Sequence, residues 1–282
     1  MGVFTKQTKQ KFAELYPDQS GIIEHNLDNN DLFSLEPLAQ LAERTPLEKI
    51  EYSRGDNPLT VDPDKPNDNG LTPAQTIRTI EENASWLVMK NIEQDPAYSD
   101  FLNAMLDELQ PIIERATGPI YRRQCFVFVT SPGSITPFHM DPEHNILLQI
   151  KGSKTMNAYP ANDDSIVRPE LHEAYHGGGH RNLVHDPAYD EKMTAHHLTP
   201  GKGVAMPVKA PHWVQNGDSV SISLSITWRS RYSIREANVQ CMNHFLRQKG
   251  LKPTPPGVNP LLDQTKAFGW RVMDKFGLAG RV

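Results

Sequence analysis

Between residues 123 and 232 the sequence consists of short apolar runs separated by glycine, proline and polar turns. The runs are rich in β-branched and aromatic residues, and they cover residues 124–130, 136–141, 146–150, 154–159, 203–207 and 220–228. Many short strands divided by turn residues are typical of an all-β sandwich or barrel. This region therefore predicts a mainly β fold. The rest of the chain is expected to flank this β core.

Helix-type patterns lie on the N-terminal side of this region. Helices are predicted at residues 37–44, 72–83 and 97–116, and a short strand at residues 86–90. The first two helices have a proline at their first position, where its missing N–H costs nothing. The third has apolar side chains at spacings of three and four. Pro111 is expected to kink or split that third helix. A polar, turn-rich loop is predicted at residues 57–70.

Two further amphipathic helices are predicted at residues 234–248 and 261–276. The patterns thus divide the chain into three parts: an α/β flanking region at residues 1–119, a β core at residues 120–232 and a helical segment at residues 233–282. The apolar faces of the last two helices could cover the core of their own chain or join two copies of it.

The composition of the 282-residue chain excludes several classes of protein. The formal net charge is −5, whereas a nucleic-acid-binding surface needs clustered basic residues, so no nucleic-acid partner is predicted. No stretch approaches about 18 apolar residues and the first residues form no apolar signal segment, so neither a membrane span nor export is expected. Two cysteines, Cys125 and Cys241, are too few for a disulfide framework. We therefore predict a cytoplasmic protein.

A histidine and an aspartate, His139 and Asp141, stand two residues apart in the strand predicted at residues 136–141. Alternate residues of a strand point to the same face, so both side chains would project together into the barrel. An imidazole and a carboxylate are two ligands of the facial triad that binds non-haem Fe(II), which needs a second histidine. By itself a His-x-Asp pair is a weak signal, because such pairs often occur by chance.

His212 has a suitable position for that second histidine. It follows the strand at residues 203–207 and precedes the strand at residues 220–228, where a barrel could return its far end to the strand of His139. Three protein ligands leave three positions of an octahedral iron for a bidentate 2-oxo acid and O₂. A structural zinc site would instead need four protein ligands, usually including thiolates.

Lys154 begins the strand predicted at residues 154–159, so it can point inward together with Met156. A buried ammonium without a partner is costly, so an inward lysine implies an anion, and the distal carboxylate of 2-oxoglutarate is such an anion. Periodicity leaves a second interpretation open, in which Lys154 is an exposed residue beside a turn, as Lys151 is expected to be.

Residues 131–160 resemble the JmjC-type, cupin-fold oxygenases that use Fe(II) and 2-oxoglutarate. The family pattern Thr-Pro-x-His-x-Asp stands at residues 136–141, its asparagine at Asn145 and its Gln-Ile-Lys-Gly-x-Lys at residues 149–154. Within the family the run is most similar to the asparaginyl hydroxylases of the hypoxia-inducible factor. The similarity covers about residues 123–229, and the first 85 and last 50 residues carry no matching motif.

The resemblance assigns the iron ligands to His139, Asp141 and His212. The last of these lies in a Pro-Gly…Pro…His-Trp-x-x-Asn segment at residues 200–216, which matches the distal-histidine region of the family. One departure is Lys202, which stands in a turn where the family usually has aspartate.

The same resemblance assigns the co-substrate contacts. Thr136 and Lys154 match the family's contacts to the carboxylates of 2-oxoglutarate, and Asn145 matches a further contact. The family's tyrosine contact has no clear counterpart, although Tyr121 lies near the expected region.

The resemblance implies a double-stranded β-helix, the jelly-roll barrel of the cupins, as the core of the mainly β fold. It implies Fe(II) and O₂, with 2-oxoglutarate as co-substrate. The expected activity is a dioxygenase that hydroxylates an unactivated C–H bond of a protein side chain or small metabolite and releases succinate and CO₂. It also suggests a homodimer formed through the C-terminal helices. Histone demethylation is not favoured, because no reader module or basic tail accompanies the barrel.

Two other classes of function fit the same barrel. A non-catalytic, regulatory cupin can bind a small molecule without chemistry, and loss of a triad residue or of Lys154 would mark it, but all are present. A metal-dependent cupin isomerase or lyase would use three or four ligands rich in histidine, with no lysine for a dicarboxylate.

Four more histidines lie in the polar excursion at residues 161–198, namely His172, His176, His180 and His185. Histidines four residues apart on a helix can bind zinc, but the three glycines at residues 177–179 would interrupt such a helix. We expect these histidines in a loop over the mouth of the active site. His196 and His197 are expected on or beside a strand with a structural role, and His144 beside the site.

Overall fold

The computed structural model describes residues 2–28, 30–55, 59–60 and 69–278. Most of the loop predicted at residues 57–70 therefore lies outside the described residues. Within them, the strands are β1 (Gly21–Glu24), β2 (Ile50–Arg54), β3 (Ser85–Lys90), β4 (Ile120–Thr130), β5 (Ile135–His139), β6 (His144–Lys151), β7 (Lys154–Ala158), β8 (Thr194–Leu198), β9 (Lys202–Met206), β10 (His212–Asn216) and β11 (Ser221–Ser230). The helices are α1 (Lys6–Leu15), α2 (Leu35–Arg44), α3 (Pro73–Arg78), α4 (Pro96–Thr117), α5 (Pro169–His176), α6 (Arg231–Gln248) and α7 (Pro260–Lys275).

The strands form two antiparallel sheets. The larger sheet has seven strands in the order β1-β9-β6-β11-β4-β3-β2, and the smaller has four in the order β5-β10-β7-β8. Side chains from both sheets line one cavity, as in a jelly roll. The prediction of a mainly β fold with flanking helices and a cupin-type core is thereby confirmed.

Strand β11 lies at the centre of the larger sheet, between β4 and β6. Its side chains alternate between the two faces, as the strand period of two requires. The apolar set faces the hydrophobic core under the helices and consists of Ile222, Leu224, Ile226 and Trp228. The small polar set lines the cavity between the sheets and consists of Ser223, Ser225 and Thr227. The alternation therefore places a packed core on one face and room for a ligand on the other.

Three strands of the larger sheet come from the region before residue 120. Strand β1 pairs with β9 at one edge, and β3 and β2 extend the other edge beyond β4. Of these three strands, only β3 was predicted from the sequence, because β1 and β2 are only four and five residues long. The sheet thus extends beyond the core expected at residues 120–232, and the division of the chain into three segments stays a prediction.

Helix α4 packs an apolar stripe into the core, with Leu102, Met105, Leu106, Leu109 and Ile113 all buried. The expected split at Pro111 is wrong, since one helix runs through it from Pro96 to Thr117. Pro111 lies on the exposed side of the helix, where water can hydrate the carbonyl group that loses its N–H partner.

Helices α2 and α3 confirm two of the predicted helices, although α3 is shorter than expected. It begins with a capping box at Thr72 and ends at Arg78 instead of residue 83. The Asn83 amide donates to the Thr76 carbonyl at 2.8 Å, which fixes a turn after the last helical residue.

The C-terminal helices α6 and α7 pack against each other, in confirmation of the two predicted helices. Part of the apolar surface of α7 is left open, with Leu261 76%, Phe268 61% and Phe276, just after its end, 69% exposed. Among the described residues, every helix is too short or too polar to cross a membrane.

Candidate metal and co-substrate site

Two histidines meet where β5 and β10 pair in the smaller sheet. His139 is the last residue of β5 and His212 is the first residue of β10, and the antiparallel register places them directly opposite each other. Their ring centroids lie 4.2 Å apart. Residues far apart in the sequence are thus brought together by strand pairing, as the position of His212 predicted.

Asp141 joins the two histidines, but from a different local structure than expected. Strand β5 ends at His139, so Asp141 lies in the segment after the strand and not on its face. The backbone N–H of Lys209 donates to the Asp141 carbonyl at 2.8 Å and fixes this segment next to the turn before β10. Asp141 Oδ2 consequently lies 3.8 Å from the Nε2 atoms of both His139 and His212.

The hydrogen bonds of the two imidazoles leave one nitrogen of each ring directed toward Asp141. His139 Nδ1 lies 2.7 Å from the Pro137 carbonyl and His212 Nδ1 lies 2.9 Å from the Ala210 carbonyl. Each Nδ1 therefore carries the hydrogen and donates it, so each Nε2 presents a lone pair. These carbonyls fix the orientation of the rings as outer partners of a metal site do.

This donor set fits a metal cation. Burial, together with the nearby His212, lowers the pKa of His139 to about 3, so this ring is neutral at pH 7. A neutral imidazole lone pair facing a carboxylate is repulsive unless a cation lies between them. One candidate ligand atom from each of His139, Asp141 and His212 lies within 4.8 Å of the others, and no other such group of His, Cys, Asp or Glu occurs among the described residues. Two histidines and one carboxylate are the donors of a non-haem Fe(II) triad.

Arg181 is a neighbour of the triad that the sequence analysis missed. Its guanidinium lies 3.4 Å from Asp141 Oδ1 and 3.8 Å from Glu51 Oε2. Burial alone would raise the pKa of Asp141, but the charges of His139, when protonated, and of Arg181 lower it. The site thus keeps Asp141 ionised, with one oxygen toward Arg181 and the other toward the histidines.

Lys154 points into the cavity, as the first interpretation of its position predicted. It is 6% exposed, and its ammonium donates to the Ser223 hydroxyl at 2.8 Å. Burial lowers the pKa of this lysine to about 7. Lys151, which was expected on the surface, is exposed. An inward ammonium of this kind can receive a carboxylate, because its other N–H groups remain available.

Thr136 and Asn145 also line the cavity. The Thr136 hydroxyl accepts from the Trp86 indole N–H at 3.1 Å, and the Asn145 side-chain oxygen accepts from the Ser225 hydroxyl at 2.8 Å. Their partners hold both polar groups in place at the cavity wall. The structure therefore brings together all six residues that the sequence analysis selected, and their individual roles remain predictions.

The wall of the cavity is largely apolar, and it is formed by Trp86, Val88, Phe126, Phe128, Leu147, Met156 and Val214. Apolar walls around a few polar groups are typical of small-molecule sites. Among the described residues that line this cavity there is no tyrosine, and Tyr121 is 43% exposed and lies elsewhere. The tyrosine contact of the family thus has no counterpart in this cavity.

The four histidines of the excursion were expected in a loop over the mouth of the active site. This expectation is wrong for His172 and His176 and unsupported for His180 and His185. His172 and His176 lie on α5, which ends at Gly177 as the glycines predicted, and this helix packs against α6. His180 and His185 also do not line the cavity. The excursion instead contributes Arg181, because its backbone pairs with the end of β5 and with Met140, the next residue.

The remaining expectations concerned His144, expected beside the site, and His196 and His197, expected on or beside a strand. His144 stacks on Trp228 and its Nε2 lies 2.9 Å from the Ser230 hydroxyl, and it does not line the cavity. His196 and His197 lie on strand β8, as predicted.

Comparison with known proteins supports the fold. No family model matches the sequence. Among solved structures, the chain is similar to Escherichia coli ycfD, with 15% identity and a TM-score of 0.50, over 93% of this chain and 66% of that chain. A second similar structure is YcfD, a ribosomal oxygenase from Escherichia coli, in complex with cobalt and 2-oxoglutarate. Its TM-score is 0.50 and its identity 15%, over 96% of this chain and 67% of that chain. The chain has the fold of this oxygenase.

The chain spans about two thirds of the length of these YcfD structures. At 15% identity the similarity shows the shared fold, and fold alone does not determine function. The activity must therefore be argued from the residues of the site.

Proposed function

We propose that this protein is an Fe(II)- and 2-oxoglutarate-dependent oxygenase. The observation that carries the proposal is one cavity that holds both a His-Asp-His triad and a buried lysine with no counter-ion among the described residues. The triad suits a divalent metal and the lysine suits a carboxylate. A chelating dicarboxylate such as 2-oxoglutarate meets both requirements in one molecule.

Different side chains of the cavity would bind the iron and the 2-oxoglutarate. His139, Asp141 and His212 would hold iron through Nε2 and carboxylate oxygen atoms. Lys154 would pair with the distal carboxylate of 2-oxoglutarate, supported by hydroxyl and amide groups of Thr136 and Asn145. Bound iron would supply the oxidative decarboxylation that gives succinate and CO₂ and the oxidation of a substrate C–H bond. The apolar wall would limit water at the reacting centre.

The two alternative classes are less well supported by the same cavity. A non-catalytic cupin has no need for an intact triad beside a buried cation, yet both are present. A cupin isomerase or lyase would not need Lys154. The substrate is proposed to be a side chain of a polypeptide or a small metabolite, and the similarity to a ribosomal oxygenase favours the polypeptide.

The proposal is tested by anaerobic titration of Fe(II) and then 2-oxoglutarate into the full chain, followed by exposure to O₂. We expect the visible absorption band that chelation of a 2-oxo acid by Fe(II) produces, and succinate formation that increases with a suitable peptide or metabolite. Binding of both ligands without succinate, across the whole panel, would support the non-catalytic class.

We further propose that the protein works in a reducing compartment, the cytoplasm, because two cysteines, Cys125 and Cys241, are too few for a disulfide framework. The exposed apolar side chains of α7 support a homodimer formed through the C-terminal helices, since such patches mark interaction surfaces.

A further inference from the structure

A second cavity lies between α5, α6, the first turn of α7 and the turn before β10, and it shares no lining residue with the metal cavity. Five of its polar lining residues are deeply buried, whereas Asn162, Asp164 and Arg235 are exposed. The exposed fractions are 6% for His172, 8% for Lys209, 8% for Glu236, 2% for Gln240 and 8% for Asp263. Burying a polar atom is costly unless it has a hydrogen-bond partner, so each of these groups needs one.

Only some of these atoms are paired within the protein. Lys209 forms a salt bridge with Glu236 Oε1, and Asp263 Oδ2 accepts from the backbone N–H of Gly257 at 2.8 Å. Asp263 Oδ1, Gln240 Oε1 and Glu236 Oε2, however, have no hydrogen-bond donor among the described residues. The residues that line the cavity therefore contain three buried oxygen acceptors that lack donors.

The charges of the buried lining are also unbalanced. Lys209 and Glu236 form one ion pair, and the exposed lining residues Asp164 and Arg235 carry opposite charges. The carboxylate of Asp263, on α7, remains as the excess charge. Lys266, on the same helix, interacts electrostatically with Asp263, but its ammonium donates to the Thr254 carbonyl at 2.7 Å. A complementary ligand would carry one positive charge and several N–H donors.

We propose that this cavity binds an organic cation, a guanidinium or alkylammonium group that donates to Asp263 Oδ1 and Gln240 Oε1. A metal ion fits less well, because among the described residues only the His139 group brings three ligand atoms within 4.8 Å. Val239 and the proline run at residues 255–256 form an apolar wall on which the alkyl stem of such a ligand can pack.

The cavity also adjoins the segment that carries the proposed metal ligands. Lys209 lines the cavity through its side chain, and its backbone N–H donates to the Asp141 carbonyl at 2.8 Å. A cation bound beside Lys209 is therefore close to this segment without contacting His139, Asp141 or His212.

Calorimetric titration of the full chain with n-butylguanidinium and with n-butylurea, its uncharged analogue of similar shape, tests the proposal. We expect saturable binding of the guanidinium and at least about tenfold weaker binding of the urea. A tenfold difference in affinity corresponds to about 1.4 kcal/mol of binding free energy. Asp263→Asn should weaken guanidinium binding by a similar factor. Asp218→Asn removes an exposed carboxylate after β10 and should leave binding unchanged. His139→Ala should also leave it unchanged, since that residue lies in the other cavity.

Equal binding of the two probes, no saturable binding of either, or unchanged binding by Asp263→Asn would overturn the proposal and leave a water-filled cavity. If circular dichroism shows that Asp263→Asn does not fold, the test relies on the unaltered chain. The affinities of n-butylguanidinium and n-butylurea for that chain then show whether the cavity prefers a cation. Competition by agmatine and by the peptide acetyl-Gly-Arg-Gly-amide separates a free small molecule from an arginine side chain of a protein. Failure of both to displace n-butylguanidinium would also contradict the site.

Discussion

The Lys154 ammonium donates a hydrogen bond to the Ser223 hydroxyl at 2.8 Å, between the smaller and the larger sheet. This contact uses one of the three donors of the ammonium. No described carboxylate lies within salt-bridge distance of Lys154, and burial alone accounts for its lowered pKa. The cavity therefore contains a buried lysine that, in the proposed function, pairs with an anionic ligand, and the first two predictions follow from this proposal.

Lys154→Ala should raise the Michaelis constant for 2-oxoglutarate steeply. Removing one partner of a buried charge pair costs about 2–5 kcal/mol, which corresponds to roughly 30-fold to several-thousand-fold in affinity. Iron binding should stay near normal, because Lys154 is not part of the triad. Lys154→Arg should restore the affinity only in part, since the guanidinium is longer and has a different geometry.

The matched control for that variant is Lys151→Ala, which removes an exposed lysine three residues away. Steady-state kinetics should show almost no effect of this change. If the two alanine variants behaved alike, the assignment of the co-substrate carboxylate to Lys154 would be wrong.

The affinity for 2-oxoglutarate should fall as the pH rises above about 7. Burial lowers the pKa of Lys154 to about 7 in the ligand-free protein, so above this pH the lysine must take up a proton to pair with the carboxylate. The dissociation constant should then rise about tenfold per pH unit, while below pH 7 the lysine is already charged. Titrations between about pH 6 and 9 test this dependence, and Lys154→Arg should flatten it because a guanidinium stays charged.

Each ligand of the triad should be required for activity. His139→Ala, Asp141→Ala and His212→Ala should abolish succinate formation and weaken iron retention, because two ligands hold the metal poorly. His197→Ala, which changes an exposed histidine on β8, is the control. Circular dichroism should show an intact fold for all four variants. Substantial activity of Asp141→Ala would contradict the ligand assignment.

The sequence predicted those parts of the fold and site that local patterns encode. The strand at residues 220–228 and the two-residue spacing of His139 and Asp141 are visible within a few residues. The end of β5 at His139 was missed, because strand ends depend on pairing partners. Arg181 was missed for a similar reason: it reaches Asp141 only because the excursion pairs with the end of β5 and with the next residue.

The C-terminal helices should form a dimer interface. Phe268 is 61% exposed on α7, and Phe268→Asp should dissociate the dimer by placing a charge in an apolar contact. Leu47→Asp is a matched change of an exposed apolar residue, 66% exposed and outside these helices, and should leave the dimer intact. Light scattering at roughly tens of micromolar, above a micromolar dissociation constant, reports the mass. A monomer for the unaltered chain would exclude the interface.

Arg181→Met should weaken iron binding although Arg181 is not a candidate ligand. The guanidinium faces Asp141 Oδ1 at 3.4 Å and thereby orients the other oxygen of that carboxylate toward the two histidines. Loss of an outer partner of a metal ligand typically costs about 10–100-fold in metal affinity.

Competition with a chelator measures that affinity. Arg181→Lys keeps a positive charge beside Asp141 and should therefore bind iron more tightly than Arg181→Met. If the role of Arg181 were purely structural, the two variants would bind iron equally weakly. Arg168→Met removes an exposed arginine at the start of α5 and should have no effect. If Arg181→Met bound iron as tightly as Arg168→Met, Arg181 would not position the carboxylate, and its place in the cavity lining would point to contact with the substrate instead.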